Sequence, residues 1–177
     1  MTYRDSIART MTELMERDDR VVLAGIGVGY PPYCYNTTEE CAMRWPDRVI
    51  EFPCSEMALG GWAVGMALQG WKPIVIHGRS NFFMLQMDML VNHILNAGEL
   101  YGRTLPIVFR LVSGQDDAGQ GCQHQFDASQ LLCALRIQYS QLHTHSNCRD
   151  VYTRAIGSAG PSIVTEYKRL YECELDC

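Results

Sequence analysis

The chain has 177 residues, 47% of them apolar and 20% charged, and a net charge of −5. That length supports one domain with a sizeable core, while Lys and Arg are scattered without the basic run that nucleic-acid binding favours. The longest nonpolar run, Met57 to Leu68, has 12 residues, well short of the ~20 that span a bilayer, and the charged opening MTYRDSIARTMTELMERDDR is not a secretory signal.

Helix and strand signals alternate along the chain. Tyr3 to Arg17 predicts a helix, with Ile7, Met11, Leu14 and Met15 near one face. VVLAG (21–25) predicts a buried strand. Thr37 to Trp45 predicts a helix stopped by Pro46, and RVIEF (48–52) the next strand. Ser55 to Gln69 predicts a helix with Gly70 as its stop. PIVIH (73–77) predicts a strand, Asn81 to Ala97 a long helix ended by Gly98, and PIVFRL (106–111) a strand. The segment 113–126 is a Gly-rich loop. Asp127 to Leu135 predicts a short helix, RIQYSQL (136–142) a strand, Asn147 to Ile156 a helix, and SIVTEYK (162–168) the last strand. Short β-branched runs between helices imply an α/β three-layer sandwich, a mostly parallel sheet with helices on both faces. Ligands of such sheets bind beyond the carboxyl ends of the strands. The informative loops therefore follow Gly25, Phe52, His77 and Leu111.

Eight cysteines, at 34, 41, 54, 122, 133, 148, 173 and 177, form no Cys-x-x-Cys pair and have no His at zinc-like spacing. They read as reduced thiols of a cytoplasmic protein, several of them buried.

GIGVG (25–29) follows a strand, but a dinucleotide fingerprint needs G-x-G-x-x-G opening a helix. Here the third glycine comes one residue early, and Pro31 and Pro32 spoil a helix start. A flexible strand-to-loop turn is the better reading. The loop SGQDDAGQGCQHQF (113–126) holds adjacent Asp116 and Asp117, read as an exposed tip in preference to a metal site. It also holds His124, just before a helix. His143 and His145 read as structural or exposed, with no third ligand for a metal.

FPCSEMALGGWAVGMALQGWKP (52–73) carries the sharpest signal. Ser55 can cap the helix and Glu56 suits its dipole. Behind them, Ala58, Gly61 and Gly65 recur three to four residues apart, beside Gly60, Ala63 and Ala67. Each helical glycine costs ~1 kcal/mol relative to alanine. Their number implies close packing against another backbone, most simply a second helix at a subunit interface. Glu56 then sits at the edge of a dry contact, where a carboxyl shares a proton with a ligand nitrogen.

These pieces, with NFFMLQMDMLVN, LPIVFR, GQGCQH and IVTEYKRLY, resemble the pyrimidine-binding domain of thiamine diphosphate enzymes. The likeness is to transketolases and to the beta subunit of the first component of 2-oxo acid dehydrogenases. It runs from about Tyr3 to Tyr171, and implies one pyrimidine-binding domain over 1–177. In that family, the glutamate of Ser-Glu-Met hydrogen-bonds a ring nitrogen of the cofactor's aminopyrimidine. It favours the imino tautomer, whose nitrogen takes the proton from the thiazolium carbon. Glu56 matches that glutamate, Phe82 the aromatic packed on the pyrimidine, and His124 a histidine at the substrate entrance. The resemblance thus implies Glu56 and His124 as catalytic, and Glu56, Met57 and Phe82 as cofactor-binding.

The resemblance also has departures. Gly25-Ile26-Gly27 stands where the family often carries Gly-Glu-Glu. His77-Gly78-Arg79-Ser80 replaces a more apolar stretch, so His77 and Arg79 are expected at an anionic or sugar-like substrate. The chain ends where the family's beta subunit enters a C-terminal domain. It also lacks the Gly-Asp-Gly…Asn motif that holds magnesium and diphosphate in the family's other domain. The resemblance therefore implies a split enzyme. A diphosphate-binding, alpha-like partner would supply Mg²⁺, in an α2β2 heterotetramer that breaks or makes a C–C bond next to a carbonyl. The chemistry expected is 2-oxo acid decarboxylation, carboligation or ketol transfer. A non-catalytic scaffold or regulatory subunit is the alternative.

Overall fold

The computed structural model describes residues 1–114, 124, 128–135 and 137–175. Its strands are β1 (Val21–Gly25), β2 (Val49–Glu51), β3 (Lys72–His77), β4 (Val108–Ser113), β5 (Gln138–Gln141) and β6 (Ser162–Tyr167). They form one sheet in the order β2-β1-β3-β4-β6-β5, every neighbouring pair parallel. The register sets Leu23 beside Val49 and Ile74, Ile76 beside Arg110, and Arg110 beside Val164. β1, β4 and β6 are buried along their whole length, as expected of parallel strands covered on both faces.

The helices are α1 (Tyr3–Arg17), α2 (Tyr33–Asn36), α3 (Glu39–Arg44), α4 (Glu56–Leu68), α5 (Ala97–Tyr101), α6 (Ser129–Cys133) and α7 (Cys148–Gly157). α1 starts on a capping box. Asp5 N–H donates to Thr2 Oγ1 at 3.1 Å, and Thr2 N–H to the Asp5 carboxylate at 3.3 Å. α1, α3 and α7 cover one face of the sheet, through Ile7, Met11, Cys41, Tyr152 and Ile156. The other face is covered by α4, the stretch 80–97 and α6, through Leu59, Ala63, Phe83, Leu90 and Leu132.

Three local expectations are corrected. Ser55 makes no side-chain cap to α4, its backbone standing at φ −154°, ψ 88°, which leaves Glu56 to meet the helix dipole. The long helix expected over 81–97 is a 3-10 segment, Ser80–Gln86, followed by a π-helical turn, Met89–Ile94. Tertiary packing overrides local propensity here. Gln86 turns inward to hydrogen-bond the His77 ring, and Gln86 and Met89 press on Gly60, where a Cβ would come within 2.8 Å of Gln86 Oε1. Gly98 lies inside α5, and Gly102, in the left-handed region at φ 68°, ends it. Gly70 (φ 89°) does follow α4 as foreseen.

The glycines of α4 divide by face. Gly60 is buried, whereas Ala58, Gly61 and Gly65 lie on the exposed side. A Cβ at Gly65 would meet nothing within 4 Å. The small residues at 58, 61 and 65 therefore form a smooth outer strip on this chain, where the second helix was expected from another subunit.

Among the described residues, the core holds one charged pair. Arg110 on β4 and Glu166 on β6 are both 0% exposed. Arg110 Nε and Nη2 donate to Glu166 Oε1 at 3.0 and 2.6 Å, and Nη2 also donates to Thr37 Oγ1 at 2.6 Å. Tyr171 Oη donates to the same carboxylate oxygen at 2.6 Å. Burial works against the guanidinium charge, but Glu166 outweighs it and holds the group well above its usual value.

Replacing one member of this pair strands the other in the core, so Arg110→Met should lose about 3–5 kcal/mol of stability in urea denaturation. Arg110→Met/Glu166→Met should recover most of that loss; a double variant as unstable as the single one contradicts the pairing. His77, 4% exposed at the end of β3, gives a pH signature. Burial pushes its imidazole from 6.5 down to about 3. The folded state keeps it neutral while the unfolded chain takes up a proton below 6.5, so its contribution is full above pH 6.5 and is lost as pH falls toward 3. Urea midpoints should therefore fall less steeply over that window in His77→Gln than in the parent. Parallel curves would show that His77 is not held neutral.

Candidate active site

In an open parallel sheet, the crevice forms where the strand order reverses. Here that point lies between β1 and β3: the chain leaves β1 for β2 at the edge, then crosses back to β3 on β1's other side. A cavity of about 510 Å³ opens at this place. Its walls are Ile26 and Gly27 after β1, Ile76 to Arg79 at the end of β3, and Cys54, Glu56 and Leu59 at the start of α4. Phe82 and Leu85 of the 3-10 segment and Pro32, Cys34 and Tyr35 close it.

Among the described residues, Glu56 is the one acid in this lining, and it is 9% exposed. Its carboxylate forms no hydrogen bond or ion pair among the described residues, so its acceptor capacity is open to a ligand. Met57, the next residue, is 42% exposed and lies outside the lining. Phe82 lines the cavity and meets the His124 ring edge-on, with centroids 5.4 Å apart and planes at 72°. The Nδ1 of His124 is buried without a partner among the described residues. His77 lines the wall as a neutral ring, tied to Gln86 and packed edge-on against Phe83. Arg79 completes the set. The fold thus brings Glu56, His77, Arg79 and Phe82 to one cavity, with His124 behind Phe82.

The GIGVG loop has a structural occupation. Glu51, at the end of β2, accepts hydrogen bonds from the N–H groups of Gly27, Val28 and Gly29 at 2.7, 2.8 and 2.9 Å. Those are the donors a phosphate would need, and they are taken by a carboxylate. Gly25 has no room for a side chain, since a Cβ there would come 2.4 Å from the Ile76 carbonyl oxygen. Asp116 and Asp117 lie outside the described residues. His143 stacks between His145 and Tyr167, at 5.6 Å from each, outside the cavity lining. Among the described residues, no three His, Cys, Asp or Glu are grouped to hold a metal ion.

Two functional positions escape a reading of the sequence. Glu51 braces the loop, and an acid ending a short strand is its only signal. Tyr35 lies in a turn where Tyr33 to Asn36 all have positive φ, between 46° and 64°. No glycine announces that turn. Thr38 Oγ1 holds it by donating to the Val28 and Tyr33 carbonyls at 2.8 and 2.9 Å. Tyr35 Oη donates to the Gly78 carbonyl at 3.1 Å, joining two lining residues of the cavity.

Comparison with known proteins places this geometry. The mitochondrial pyruvate dehydrogenase E1 beta subunit of Pisum sativum is 31% identical over 178 residues, covering 97% of this chain and 48% of that one. The human counterpart is 35% identical over 127 residues, covering 70% and 35%. The chain thus spans about half the length of the pea relative or less. Among solved structures, a split-gene transketolase described as an inactive beta4 tetramer superposes with a TM-score of 0.74 at 18% identity, over 93% of this chain and 50% of that one. A transketolase from Leishmania mexicana gives 0.71 at 15%, over 92% and 24%. The model of the transketolase pyrimidine-binding domain matches residues 1–174, and the chain belongs to that family.

Proposed function

We propose that this chain is the pyrimidine-binding subunit of a split, transketolase-like thiamine diphosphate enzyme. The observation that carries the reading is Glu56, a buried carboxylate without a partner among the described residues, in the lining of an otherwise largely apolar cavity at the reversal point of the sheet. An aminopyrimidine fits this place. Phe82 offers a ring to pack on it, and Glu56 an acceptor for a ring N–H. The bound cofactor would supply an electron sink for cleaving or forming a bond next to a carbonyl. Glu56 holds and returns the proton at the pyrimidine ring nitrogen. Ile26, Leu59 and Ile76 keep water away from that proton. His124, in edge contact with the Phe82 ring, is assigned by the family likeness to holding the substrate or handling its protons.

The partner is an alpha-like subunit. It would supply the magnesium and diphosphate site, a reading supported by the likeness to E1 beta subunits and to a split-gene transketolase. The smooth outer strip of α4 is the face offered to a neighbouring helix in an α2β2 assembly. Unpaired cysteines at the described positions support a reducing compartment such as the cytoplasm. A non-catalytic scaffold is the second reading, favoured by one observation: Ile26, an apolar residue, lines the cavity where the family often places an acid.

Glu56→Gln separates the two. It keeps the shape of the side chain and removes its proton chemistry, so turnover in the complex with the partner should fall at least ~100-fold. Native mass spectrometry should show the assembly unchanged. Parent-level turnover in that variant would defeat the catalytic reading.

A further inference from the structure

Glu51 is the last residue of β2, the edge strand, and stands in register with Gly25 of β1. It lies outside the cavity lining, and its carboxylate meets no cation among the described residues. What it meets is backbone. Oε1 accepts the Gly27 N–H at 2.7 Å, and Oε2 accepts those of Val28 and Gly29 at 2.8 and 2.9 Å. Successive N–H groups turned onto one anion form a nest, and Gly27, at φ 75°, supplies the bend. The fit is close, since a Cβ at Gly29 would come 3.2 Å from the Glu51 Cβ.

The carbonyls of the same loop carry the turn that follows it. Gly27 accepts the Cys34 N–H at 2.7 Å. Val28 accepts the Thr38 hydroxyl at 2.8 Å, and that hydroxyl also donates to Tyr33 at 2.9 Å. Ile26, Gly27, Cys34 and Tyr35 are all lining residues of the cavity. A run of left-handed residues without glycine has no local preference for its shape, so the turn takes its place from the loop it hangs on. A carboxylate suits the nest because both its oxygens accept, and such charge-assisted bonds are the stronger kind. A glutamine would offer one oxygen and set its NH₂ against a donor.

We propose that Glu51 is a positioning residue of the candidate site. As the built-in anion of the 27–29 nest, it sets the wall formed by Ile26, Gly27, Cys34 and Tyr35. The proposal rests on the cofactor reading of the same cavity, but its first test needs no cofactor. The full chain, with thiols reduced, is treated with iodoacetamide, and labelling of each cysteine is followed by mass spectrometry.

In the parent, Cys34 is 5% exposed and should react slowly. Glu51→Ala should raise its rate about 10-fold or more, while Cys148, buried in α7, keeps its parent rate. Acetate, which matches the atoms removed, should return Cys34 to near its parent rate, and the neutral acetamide should not. Glu51→Gln keeps the size of the side chain and should give a rise of about 3-fold. Parent-level labelling of Cys34 in Glu51→Gln overturns the proposal, as does equal rescue by acetamide or a matching rise at Cys148. In the complex with the partner, Glu51→Gln should raise the thiamine diphosphate concentration for half-maximal turnover about 3- to 10-fold, with kcat falling less. An unchanged value overturns the link to the cofactor. The two readings fail separately. Undiminished turnover in Glu56→Gln removes the cofactor role and leaves the acetate-dependent labelling of Cys34 intact, and loss of that labelling effect leaves the Glu56 result standing.

Discussion

The Arg110–Glu166 pair ties together elements that the rest of the molecule depends on. It joins β4 to β6 from the side chains as well as the backbone, and it fixes Thr37 and Tyr171 from two distant parts of the chain. Thr37 in turn closes on the Cys34 carbonyl, and Cys34 is a wall of the cavity. A buried ion pair is poor evidence of net stability, because desolvation offsets most of its attraction. What it enforces is geometry. Any displacement of the segment around Thr37 exposes a charge in the core, so the turn that closes the cavity is anchored through the centre of the sheet.

The cavity is therefore assembled from two kinds of support. One wall is regular: the ends of β1 and β3 and the first turn of α4 are placed by strand pairing and by burial of Leu59 and Ala63. The opposite wall, from Pro32 to Tyr35, has no sheet beneath it. Left-handed residues other than glycine cost roughly 1 kcal/mol or more each. The four that occur here are held by hydrogen bonds from Thr37, Thr38 and Tyr35. Strain of this kind gathers at functional sites, and here it sits against the candidate pocket.

Much of this was legible in the sequence, and what was not has a physical reason. VVLAG and PIVIH read as strands because a strand buried on both faces must be apolar throughout. Glu56 stood out because a carboxylate beside a helix of small residues has few structural uses. The 33–36 turn was hidden because positive φ is usually announced by glycine, and Tyr-Cys-Tyr carries no such mark. The break in the 80–94 helix was hidden because no Pro or Gly causes it. It follows from contacts of Gln86 with His77 and of Met89 with Gly60, which exist only once the sheet has formed. Glu166 lies 56 residues from Arg110, so neither could be recognised as half of a pair.

The outer strip of α4 has a thermodynamic meaning for the chain as a subunit. Gly61 and Gly65 are exposed, and neither is crowded by its own chain. Each still weakens the helix by ~1 kcal/mol relative to alanine. A chain that folded for itself alone would gain by losing them. Their cost is recovered only where another surface comes closer than a methyl group allows, and binding to the folded form then adds stability by mass action. In the assembly proposed above, the lifetime of the folded subunit would be a function of how much partner is present.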